Sequence, residues 1–179
     1  RDCLLSRGLG DVYKRQAYMY ENIQSPYQKA LANSSAYTEG YAVYAQFYAY
    51  KYLTGIDKNV LEALKENELA SYDIMILCDI GIHYEGWSLD DFSDFISEKG
   101  INLEEDSLKT QYKQLQANPA AFEPYYVGYE EFMLLKETAQ NKLGDKFNDK
   151  KFHEAILKSG NAPFTVVERN VAAYIKSAK

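Results

Sequence analysis

Histidine is scarce in this sequence, with two residues, His83 and His153, among 179, so metal binding or acid-base chemistry has few carriers. Cysteine is equally rare. Cys3 lies in an atypical opening stretch, and Cys78 alone can form neither an internal disulfide nor a zinc cluster. Apolar runs are short: a stretch such as Ile74 to Cys78 falls far below the roughly 20 residues that cross a bilayer, which argues against a transmembrane segment. Positive charge is also in short supply. With 20 Lys and Arg against 26 Asp and Glu and a pI near 5.0, the chain lacks the clustered basic surface that nucleic acid or an anionic membrane requires. No internal repeat and no sustained apolar-polar alternation of strand type is present, so the periodicity points to helices throughout. What is there, 46% apolar and 26% charged residues, is the usage of a globular chain with material for one sizeable core, hence one domain or part of one.

The opening stretch Arg1 to Gln16 has no helical or strand period and is basic in an acidic chain. Its last six residues, D-V-Y-K-R-Q, are what the mosaic-end adapter of transposase-based sequencing libraries encodes in one reading frame. These sixteen residues are therefore read as an assembly artefact, expected to be disordered and to pack against nothing. The natural sequence is expected to run over 17–179 and to lack its own N-terminal part, which leaves export or cytoplasmic residence undecided.

The most informative stretch is Ala36 to Tyr52. Between Lys29 and Lys51 the only carboxylate, Lys, Arg or His is Glu39. On a helix, Tyr37, Tyr41, Tyr44, Tyr48 and Tyr52 form one aromatic stripe, with Ala42, Ala45 and Ala49 beside it. A lone acid in such a helix is paired, protonated or metal-bound, because an uncompensated buried carboxylate costs several kcal/mol. The plainer alternatives are a core Glu neutralised by a distant Arg or Lys, or a Glu near the helix start that reaches water.

Caps and breakers divide the rest. Asn33, Ser34 or Ser35 opens the Glu39 helix, which is expected to stop near Thr54-Gly55, and Asp57 opens a long second helix through Leu61, Leu64, Tyr72, Met75 and Ile82. Ser88 starts a short helix that ends at Lys99-Gly100, and another spans about Leu103 to Ala117. The irregular stretch P-A-A-F-E-P-Y-Y-V-G precedes a helix from about Tyr125 to Leu143. Asn148 or Asp149 caps the next, and Pro163 opens the last.

Within this frame, Asp79 and His83 sit four apart, so the carboxylate can orient the imidazole, either as a site or as a structural pair. The segment H-E-A-I-L at His153 is half of the zincin motif H-E-x-x-H, but position 157 is Leu, and His153 reads as a residue that packs or bonds a neighbouring carbonyl. Tyrosine outnumbers phenylalanine 17 to 8, as suits buried rings whose hydroxyls meet polar groups, in a wet cleft or on an ordinary helical surface.

Four segments in order, T-E-G-Y-A-V-Y-A, D-I-G-I-H-Y-E-G-W-S, P-A-A-F-E-P-Y-Y-V-G and L-G-D-K-F-N-D-K-K-F-H-E-A-I-L-K-S-G-N-A-P-F-T-V-V, together resemble the C-terminal half of the bacterial family called domain of unknown function 885. That family has the patterns E-G-W-A-x-Y, D-x-G-I-H-x-x-G-W, P-G-Q-x-x-x-Y-x-x-G and F-H-x-x-x-L-x-x-G. The resemblance covers nearly all of 17–179. It implies an all-α fold, the helical C-terminal portion of a zincin-like metallopeptidase domain with about seven helices. It also implies a bacterial zinc hydrolase acting on a peptide substrate, in which zinc activates water for attack on the peptide carbonyl.

Carried over by motif, Glu39 is implied as a zinc ligand, and His83 and Tyr125 as stabilisers of the oxyanion, with Asp79 supporting His83. The departures are Tyr41 for Trp, Ala120 and Ala121 for Gly-Gln, and Phe122-Glu123-Pro124 in the next places. The family's H-E-x-x-P-G-H segment does not occur in this sequence, so the chain by itself is expected neither to hold zinc tightly nor to hydrolyse peptides. The competing reading from another class is a non-catalytic helical binding module on the same scaffold.

Overall fold

The computed structural model describes residues 21, 25–27 and 33–178; Arg1–Gln16, read above as an artefact, lie outside them. Among the described residues the chain forms seven α-helices and no strand: α1 (Ser35–Tyr50), α2 (Lys58–Ile80), α3 (Leu89–Glu98), α4 (Glu105–Ala117), α5 (Glu123–Leu143), α6 (Asp149–Lys158) and α7 (Phe164–Ala178). One π-helical turn, Gly81–Glu85, continues α2, and a 3-10 turn, Gly144–Lys146, links α5 to α6. The fold is all-α.

Local chemistry sets most of the helix starts. Ser34 accepts from the Tyr37 N–H at 3.2 Å, Asp57 from Asn59 at 2.7 Å and Asn148 from Lys151 at 3.0 Å. Ser88 and Asp91 satisfy each other's backbone N–H groups in a capping box. Each such cap stabilises its helix by about 1 kcal/mol. The end of α1 comes earlier than the Gly55 signal suggested. The Tyr52 N–H closes a tight turn on the Ala49 carbonyl at 3.0 Å, and the Lys51 ammonium lies 3.5 Å from the Tyr48 ring centroid. Helix α5 starts at Glu123 rather than Tyr125, with Pro124 in its first turn, where its missing N–H costs nothing.

The chain divides into two compact units: Arg1–Tyr52 with Val127–Lys179, and Leu53–Tyr126. In the first, the tyrosine stripe of α1 is a continuous ladder of rings, with Tyr37–Tyr41, Tyr41–Tyr44, Tyr44–Tyr48 and Tyr48–Tyr52 centroids 6.2, 6.3, 5.9 and 6.0 Å apart. Phe132 of α5 meets Tyr37, Tyr41 and Tyr44, and the buried Tyr37 hydroxyl donates to the Ile156 carbonyl at 2.7 Å. Phe152, Ile156, Val167 and Val171 complete this core. In the second unit Cys78, Ile82, Phe92, Ile96 and Leu115 form the core, flanked by Trp87, Phe95, Tyr112 and Phe122. Full burial pushes the Cys78 thiol up to about 11, which keeps it un-ionised and poorly nucleophilic at neutral pH.

Helices α1 and α5 cross backbone against backbone at Gly40 and Gly128. A Cβ on Gly40 would stand 2.2 Å from the Gly128 carbonyl carbon, and one on Gly128 would stand 2.0 Å from the Ala36 oxygen. Neither obstacle is a side chain that can swing aside. Gly128→Ala is therefore expected to destabilise the chain by about 1–3 kcal/mol, read by denaturant unfolding; an unchanged midpoint would contradict this packing.

Candidate functional site

The unit Leu53–Tyr126 carries three of the four residues singled out by sequence, Asp79, His83 and Tyr125; Glu39 belongs to the other unit. Asp79 ends α2, and the chain then widens into the π-turn that presents His83. Such turns need a specific seat. The N–H groups of Gly86 and Trp87 both reach back to the Gly81 carbonyl, with Gly86 in the left-handed conformation at φ 77°. The Trp87 indole packs against Gly81, where an added Cβ would stand 2.2 Å from the ring. The D-x-G-I-H-x-x-G-W pattern is thus one device: glycine as floor, indole as plug, and a histidine held on the turn between them.

The His83 Nε2 lies 3.1 Å from the Leu115 carbonyl oxygen and 3.4 Å from Asp79 Oδ1. A carbonyl can only accept, so Nε2 carries the proton and donates to Leu115. In the neutral ring Nδ1 is then an acceptor, and the side chain, 31% exposed, can offer a second N–H to an anion only as imidazolium. Asp79 and His83 are in ion-pair range, as the spacing suggested, but it is Leu115 that orients the imidazole by hydrogen bond. Asp79 is almost wholly buried, at 5% exposure. Its Oδ2 accepts the Ala120 N–H at 3.0 Å, which pins the 118–122 turn to the end of α2. Tyr125, half-buried on the first turn of α5, stacks on Tyr72 with centroids 5.5 Å apart and planes 12° from parallel.

Glu39 is half-buried on α1, and among the described residues no Lys or Arg lies within ion-pair distance of it. By contrast Asp149 has Lys136 at 3.3 Å and Lys51 at 3.8 Å. The core-Glu alternative with a distant basic partner finds no such partner among the described residues. No group of three His, Cys, Asp or Glu side chains among them could hold a metal ion, so the described residues do not form a zinc site by themselves. Val43, the apolar neighbour on α1, is buried at 3% exposure.

His153 behaves as a structural bolt. Its Nε2 is 2.8 Å from the Tyr44 hydroxyl, and its other nitrogen bonds the Asp149 backbone carbonyl. Burial first, then the Lys136 charge, holds its pKa below the usual imidazole range. The neutral ring therefore accepts the Tyr44 proton, and burial raises the Tyr44 pKa in turn. Sequence reasoning missed Glu123, which reads as a solvated acid in a helix first turn and was noted only as a departure in the third motif. Its carboxyl lies against Asp79.

These features define an all-helical protein with an acid-histidine constellation built on a π-turn. The chain belongs to the family described as bacterial protein of unknown function (DUF885), whose profile matches residues 15–171. It is also similar to the crystal structure of a "putative lipoprotein from Colwellia psychrerythraea", at 28% identity and a TM-score of 0.65 over 80% of this chain. This chain spans 24% of that protein's length. No curated protein matches it significantly.

Membership gives Ala120 a physical meaning. Among the described residues it is the one non-glycine with positive φ, at 58°, and it stands where the family pattern has Gly. An L-residue there costs about 1–2 kcal/mol, partly offset by the larger chain entropy of an unfolded glycine. Ala120→Gly should therefore raise stability by about 0.5–1 kcal/mol, seen as a higher melting temperature; a lower one would show that the turn does not strain this residue.

Proposed function

We propose that the protein from which this chain comes is a zinc-dependent peptidase of zincin type. The chain is its helical C-terminal portion; in one unit Glu39 is a zinc ligand, and in the other His83 and Tyr125 are hydrogen-bonding groups suited to an oxyanion. The observation that carries this reading is Glu39: a half-buried carboxylate beside the Gly40 crossing, with no basic partner among the described residues. A carboxylate so placed favours a cation as its partner. Zinc, when bound, supplies activation of water and polarisation of the carbonyl.

The chain's own residues have separable parts. Glu39 contributes negative charge to the donor set. Tyr125 offers a phenolic O–H. His83, with Nε2 committed to Leu115, offers either a lone pair at Nδ1 or, once protonated, an N–H to a developing anion.

In the full-length parent, Glu39→Gln should reduce peptide hydrolysis to background, because a neutral amide is a poor zinc ligand. In the 179-residue chain the same change should leave the melting temperature unchanged or slightly higher, since it removes an uncompensated charge. Hydrolysis retained by the full-length variant would remove Glu39 from the site. A full-length parent without any peptidase activity would favour the binding-module alternative.

A further inference from the structure

Two buried carboxyl oxygens in the unit Leu53–Tyr126, Asp79 Oδ1 and Glu123 Oε2, have no hydrogen-bond partner, and their side chains lie within hydrogen-bonding reach of each other. Two ionised carboxylates cannot satisfy one another, because both only accept and their charges repel. One proton between them removes both vacancies at once: the O–H of one group donates to the buried oxygen of the other.

Among the described residues no Lys or Arg lies within ion-pair distance of either carboxyl. From α2 and the π-turn the titratable groups that face the pair are Asp79 itself and His83, whose Nε2 proton goes to Leu115. Helix α4 presents that Leu115 carbonyl, and the 118–122 turn presents the Ala120 N–H, already bonded to Asp79 Oδ2.

We propose that Asp79 and Glu123 share a single proton, and that Glu123 is thereby a positioning residue that fixes Asp79 between His83 and the Ala120 turn. The proton resides on Glu123, the less constrained partner, since Asp79 already spends one oxygen on a backbone N–H. Burial and the contact with Asp79 both push the Glu123 carboxyl above its usual range, in keeping with that assignment. A raised folded value means that this stabilisation is complete below the unfolded glutamate value, about 4.3, and is lost as pH rises through the folded value. This assignment stands apart from the peptidase reading, because it concerns protonation and orientation and holds whether or not the parent cleaves peptides.

The test is infrared spectroscopy of the 179-residue chain carrying isotope-labelled glutamate, at about pH 6, where an ordinary glutamate is ionised. Thermal melting of Glu123→Gln and Glu123→Ala accompanies it. The expected result is a protonated-carboxyl C=O band in the unsubstituted chain that is missing from Glu123→Gln. Glu123→Gln, whose amide can still donate to Asp79, should melt within about a degree of the unsubstituted chain, and Glu123→Ala several degrees lower. A folded chain without the band, or a Glu123→Gln variant that melts as low as Glu123→Ala, would overturn the proposal. So would a melting temperature raised by magnesium, calcium or zinc in the unsubstituted chain but not in Glu123→Gln, which would put a cation where the proton is assigned.

Discussion

Where α1 crosses α5, Gly40 and Gly128 bring two helix backbones closer than any side chain would permit, and the first unit's architecture follows from that approach. With the axes drawn together, the rings flanking the crossing must interlock, and Phe132 is gripped by three tyrosines of the α1 stripe. The stripe is tyrosine rather than phenylalanine for a reason visible in its hydroxyls. Tyr37 donates to the Ile156 carbonyl and Tyr44 to His153, so α6 is tied to α1 by directional bonds as well as by packing. Each buried phenol would otherwise cost about 1–3 kcal/mol in an unmade hydrogen bond. Glu39 precedes Gly40 in the chain, and its place on α1 is set by the same contact.

The second unit is organised around a buried carboxyl group. Asp79, buried at the end of α2, holds the Ala120 turn through one oxygen and faces His83 with the other. The π-turn that carries His83 is stable because Gly81 admits the Trp87 ring and Gly86 takes the left-handed conformation that reverses the chain. π-Turns recur at functional sites because the extra residue shifts a side chain out of helical register at a local cost. Here that cost falls on motif residues of no other evident chemical use.

Legibility in the sequence followed the range of each interaction. Caps act within three residues, so Asp57 and Ser88 were readable from residue type alone, whereas Ser34 was one of three candidates and Asn148 one of two. The end of α1 was misjudged because Gly55 is a strong stop signal, whereas the turn at Lys51 and Tyr52 is set by a backbone bond and a cation over an aromatic ring. The Asp79–His83 spacing was legible; the Leu115 carbonyl that orients the ring was not, since a backbone acceptor has no residue signature. Glu123 was invisible as a partner of Asp79 for the same reason that long-range carboxyl contacts always are: in sequence an acid near a helix N-terminus already has an explanation. Of the two boundaries between the units, the one at Tyr126 and Val127 left no mark in the composition, because it falls inside α5 without a linker.

We propose that Glu39 is one ligand of a zinc site whose other donors lie outside the described residues. The most direct measurement is the metal content of the full-length parent, purified without added metal, beside that of the 179-residue chain prepared in the same way. About one zinc per full-length chain is expected, as a three-ligand catalytic site would retain, and no stoichiometric zinc in the shorter chain. A full-length protein free of zinc and unable to take it up would contradict the claim.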